Sequence, residues 1–96
     1  MLTAPLTTHA RVRMQQRGIS LAALDLLLEF GREAHDRRGC RIVRFDKHTR
    51  RRAARALGSL FPRFERWLDA YAVIGPDDAV ITVGHRHSRV GGNPAQ

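Results

Sequence analysis

The sequence holds a single cysteine, Cys40, so no disulfide can form within the chain and no cysteine-based metal cluster can be assembled. It has almost no lysine: Lys47 is the only one among seventeen Lys and Arg residues. It is short of acid, with nine Asp and Glu, which leaves a net charge of +8. It also lacks a long hydrophobic run. The most apolar stretch, Leu21 to Phe30, is too short to cross a bilayer and is interrupted by Asp25. The opening MLTAPLTTHARV has no apolar core of a secretory signal, so a cytoplasmic location and no membrane partner are expected.

What is present is arginine. A guanidinium matches phosphate geometry with paired hydrogen bonds, whereas an ammonium is a mobile point charge. A net +8 on 96 residues raises the local concentration of polyanions. Nucleic acid, an acidic protein and an anionic surface all fit the charge alone. Arginine-rich coding bias is the bland explanation of the composition, but the guanidinium groups are present either way.

The length suits one domain with a modest core, expected over residues 1–90, with GGNPAQ (91–96) as a disordered tail. Residues 1–7 read as a loose leader. Thr7 or Thr8 can cap a helix to about Arg17, stopped by Gly18. Ser20 can cap a second helix in which Leu21, Leu24, Leu27 and Leu28 recur at helical spacing, with Ile19 placed to staple Leu24. Residues 32–36 and the stretch Cys40–Phe45 suggest paired strands. Asp46 can cap a helix KHTRRRAARAL whose apolar stripe is Ala53, Ala56 and Leu57, ended by Gly58. Phe61, Phe64 and Trp67, three residues apart, suggest a further helical turn over the sheet edge, starting where Pro62 permits. These aromatics could stack bases, but a small core needs them more. Leu68–Ile74 and Ala79–His85, joined by Gly75-Pro76-Asp77-Asp78, read as a hairpin. The expected class is α+β: helices on one face of a small antiparallel sheet, in the order α-α-β-β-α-β-β.

Three constellations could carry chemistry. His9, Arg13 and Arg17 recur at intervals of four on the first helix and share a stripe. An imidazole can move a proton near neutral pH and arginine can stabilise phosphorane charge, so the set suits phosphodiester cleavage; a plain solvated helix face explains it equally simply. At the end of the last strand, Thr82-Val83-Gly84-His85-Arg86-His87 places His85 and His87 on one face. No acidic or cysteine partner lies at a metal-binding spacing, so no metal and no cofactor is expected. Lys47, Arg50, Arg51, Arg52 and Arg55 wrap the third helix and suit phosphate contacts that do not read bases.

The stretch His9-Ala10-Arg11-Val12-Arg13-Met14-Gln15-Gln16-Arg17-Gly18-Ile19-Ser20 resembles the H-A-x-x-R-M-x-x-R-G-I-S opening of a bacterial family of unknown function, domain of unknown function family 4258. Val80-Ile81-Thr82-Val83-Gly84-His85-Arg86 resembles its last strand, V-I-T-V-x-H-R. The middle is only loosely similar, and helix 47–57 with its aromatic segment looks like an insertion relative to the shortest members. That family is similar to the RelE and BrnT toxins, with a ribonuclease-like (RelE/barnase-like) fold. The resemblance implies metal-independent RNA cleavage through a 2′,3′-cyclic phosphate, and an acidic antitoxin as a second partner beside RNA. It implies His9 and His85 as proton-transfer groups, Arg13 and Arg86 on the scissile phosphate, and Arg17 and Lys47 on neighbouring phosphates. Two readings compete with it: a non-catalytic module that binds nucleic acid, and an interaction protein whose positive surface meets an acidic partner.

Overall fold

The computed structural model describes residues 5–36 and 38–86. The expected tail at 91–96 and His87 lie outside them. The elements follow the expected order: α1 (Thr8–Arg17), α2 (Leu21–Phe30), β1 (Arg32–His35), β2 (Arg41–Arg44), α3 (Lys47–Leu57), a 3₁₀ segment (Gly58–Trp67), β3 (Ala70–Ile74) and β4 (Val80–His85). The strands form one antiparallel sheet in sequence order, β1-β2-β3-β4.

Each helix begins where a short polar side chain satisfies an amide left over at the helix start. The Thr7 hydroxyl accepts from the Ala10 amide at 3.1 Å and donates to the Ile81 carbonyl at 3.0 Å, so one group caps α1 and ties it to β4. The Ser20 hydroxyl accepts from the Ala23 amide, and Ile19 and Leu24 are both buried, as a hydrophobic staple requires. Asp46 and Thr49 form a reciprocal capping box: the Thr49 amide donates to the Asp46 carboxylate and the Asp46 amide to the Thr49 hydroxyl, each at 2.8 Å. Gly18 closes α1 with φ of 66°, a left-handed conformation that costs glycine nothing.

The sheet has two unlike faces. In β3 burial alternates, with Ala70, Ala72 and Ile74 buried and Tyr71 and Val73 half-exposed. The buried set joins Val43, Val80 and Val83, and α1 and α2 cover it with Ala10, Met14, Leu24 and Leu27. Burying each of the larger side chains contributes roughly 1.5–3 kcal/mol.

Three expectations change. The leader is anchored at residues 5–7: Leu6 bridges Val80 in parallel, and the Val80 amide donates to the Pro5 carbonyl at 2.8 Å. The buried stripe of α3 is Thr49 and Ala53, with Leu57 half-buried behind them, while Ala56 is exposed. The stripe runs at intervals of four because the helix packs through its first turns, and Thr49 is tolerated there because the capping box satisfies its hydroxyl. The aromatic segment starts at Gly58, ahead of Pro62, and is 3₁₀. With three residues per turn, Phe61, Phe64 and Trp67 line one face. They pack against the core cluster, toward α3 and the α1–α2 turn rather than over the sheet edge.

Candidate nucleic-acid interface

At the end of β2 the chain turns directly into α3. Arg44 is the last residue of the strand, and Lys47, Arg50 and Arg51 follow on one face of the helix. Arg86 arrives from the other side of the sheet, just after β4. Its amide donates to the Asp69 carbonyl at 2.6 Å and its guanidinium to the Phe45 carbonyl at 3.4 Å. Together with Phe45 and Asp46 these residues line an open cleft of about 600 Å³.

Asp46 is the one carboxylate on the cleft wall. The Thr49 amide and then the Arg32 guanidinium donate to it, and these two hydrogen bonds hold its carboxyl well below the usual carboxylate range. It stays anionic, with its charge directed at the start of α3 and at Arg32. Among the described residues, Arg44, Lys47, Arg50, Arg51 and Arg86 make no ion pair. Five cations therefore line one opening without a carboxylate partner, Arg50 and Arg86 donating only to the backbone carbonyls of Leu68 and Phe45.

The second region is the seam between α1 and β4, which lie side by side as expected. They run in the same direction: Thr7 meets Val80 and Ile81 at one end, and Arg17 meets His85 at the other. His9 and Arg17 are eight residues apart, about 12 Å along the axis at about 1.5 Å per residue. The seam therefore does not bring His9 to His85, and an acid and a base must both reach the same phosphodiester. His9 is exposed, and the Arg13 Nε donates to its Nε2 at a long 3.5 Å. His85 is held on both sides: Nδ1 lies 2.7 Å from an Asp69 carboxylate oxygen and Nε2 lies 3.0 Å from the Arg17 carbonyl. The Asp69 carboxylate and the Arg17 carbonyl thus engage both ring nitrogens, and the ring ties the turn before β3 to the end of α1. Nearby, the Trp67 indole donates to the Gly18 carbonyl at 2.8 Å and Arg66 stacks over the Trp67 ring at 5.0 Å.

The basic residues named from sequence thus divide. Arg86, Lys47, Arg50 and Arg51 share the cleft; Arg13, Arg17, His9 and His85 belong to the seam; Arg52 and Arg55 are exposed outside the cleft. Arg44 was missed. Its signal was the alternation Arg41-Ile42-Val43-Arg44, which puts a strand arginine on the face away from the helices. Among the described residues, no three His, Cys, Asp or Glu side chains group to hold a metal ion, and no helix is long and apolar enough to cross a membrane.

Fold and cleft define a small basic α+β domain. The family described as Domain of unknown function (DUF4258) matches residues 6–85, and the chain belongs to that family. Comparison with curated proteins and with solved structures finds no match.

Proposed function

We propose that the protein binds RNA by gripping its sugar-phosphate backbone in the cleft formed by Arg44, Lys47, Arg50, Arg51 and Arg86. The convergence of these five cations, four from the end of β2 and the adjoining α3 and the fifth, Arg86, from just after β4, carries the reading. Four are guanidiniums, suited to two-point contacts with phosphate oxygens. The choice of RNA rests on the resemblance to RelE- and BrnT-type toxins. An acidic antitoxin would compete for the same cleft, since it offers carboxylates where RNA offers phosphates.

Binding without cleavage is the form the geometry favours, because His85 is engaged at both ring nitrogens and His9 is two helical turns away. The test is fluorescence anisotropy with a labelled RNA across a salt series. If all five cations contact phosphates of a single strand, the slope of log K against log salt should be about −3.5, a loss of about a hundredfold between 50 and 200 mM. A salt-independent interaction would overturn the reading. The same RNA, incubated with chelator and mapped for ends, should remain intact. Discrete 2′,3′-cyclic ends that disappear in His85→Ala would instead establish the cleaving form.

A further inference from the structure

We infer that the face of the sheet away from α1 and α2, which no helix covers among the described residues, is a base-stacking platform for single-stranded RNA, with Tyr71 as its aromatic floor; this rests on the phosphate-binding reading and deepens it. Helices α1 and α2 cover one face of the sheet. On the other, the strand register aligns Arg32, Arg44, Tyr71 and Gly84 in one row across all four strands. Ala34, Ile42, Val73 and Thr82 form the next row.

Two features of the first row point to a ligand. The first is the contact between Tyr71 and Gly84. A Cβ at position 84 would lie 2.9 Å from the Tyr71 hydroxyl oxygen and 3.0 Å from two ring carbons. The tyrosine therefore lies across the strand in space that any other residue at 84 would fill. The ring lies against the Gly84 backbone, and Tyr71 is half-exposed. The second is the arginine pair. Arg32 and Arg44 stand directly opposite each other, an arrangement that destabilises a sheet when the charges are alike. Asp46 compensates Arg32, while Arg44, between Arg32 and Tyr71, makes no ion pair among the described residues. A phosphate would relieve that repulsion.

Arg44 also belongs to the cleft, so platform and cleft are continuous. A strand whose phosphates follow Arg86, Arg51 and Lys47 past Arg44 would lay a base on Tyr71. Base–aromatic stacking tolerates any base but requires an unpaired strand, because duplex bases already stack on each other.

Two probes separate the contributions: a labelled oligoadenylate, and an abasic ribose-phosphate chain of equal length and charge. The parent protein should bind oligoadenylate about tenfold more tightly, in line with one stacked base. Tyr71→Leu should abolish that preference and leave abasic binding unchanged, while Tyr71→Phe should retain it. Gly84→Ala, checked for its melting temperature, should reproduce the loss by displacing the ring. Equal binding of both probes by the parent, or an equal loss on both in Tyr71→Leu, overturns the platform and leaves the phosphate cleft standing. Failure to bind either probe overturns both readings.

Discussion

The cationic cleft and the α1–β4 seam hold the same kinds of residue for opposite purposes. In the seam, polar groups face each other: His85 bridges Asp69 and the Arg17 carbonyl, Trp67 reaches the Gly18 carbonyl, and Arg13 reaches His9. In the cleft, the cations make no ion pair among the described residues, and the one carboxylate on the wall is already held by Arg32 and the start of α3. The seam's hydrogen bonds stabilise the fold; the cleft leaves its charge available. A basic residue is informative about function when no carboxylate in its own chain neutralises it.

Separating these roles by substitution should give effects of very different size. The largest is expected from replacing Lys47, Arg50 and Arg51 together by glutamine. RNA affinity should fall by about a hundredfold or more at low salt and the salt slope should flatten by about two, with thermal stability nearly unchanged. A comparable loss from Arg52→Gln with Arg55→Gln would dissolve the distinction between cleft and general surface charge.

His85→Ala should act in the opposite way. It removes the ring that bridges the Asp69 carboxylate and the Arg17 carbonyl and should cost about 1–3 kcal/mol, measured by urea denaturation, with RNA affinity barely altered. Asp46→Asn sharpens the comparison through pH. The carboxyl is depressed in the folded protein, so its contribution to stability is fully present above its unfolded pKa, near 4, and is lost as pH falls below that toward the folded value. The decline in stability on acidification below about pH 4 should therefore be shallower in the variant, as followed by circular dichroism. The smallest effect belongs to His9→Ala. Its ring is exposed with one long contact, so stability should change by less than about 0.5 kcal/mol.

Local structure was largely legible in the sequence because its signals are local. Thr7, Ser20 and Asp46 cap the helices, Gly18 stops α1, and the Gly75–Asp78 turn joins β3 to β4. The site was legible only in composition. Arg44 hid in a strand between two core residues, and Tyr71 lay inside a run that reads simply as β. The expected meeting of His9 with His85 needed more than neighbouring elements. It depended on the relative direction of α1 and β4, which no spacing within either one encodes.

The sequence by itself determined the α+β order, the helix boundaries and the excess of positive charge, since each depends on residues within a few positions of one another. Tertiary structure alone decided where that charge could act. Strand register set Arg44 beside Tyr71, the pairing of β4 with β3 placed Arg86 beside the start of α3, and packing against α1 engaged His85 at both nitrogens. Whether a basic side chain stays free depends on which partners the folded chain brings within hydrogen-bonding distance, and for His85 one such partner lies 68 residues away.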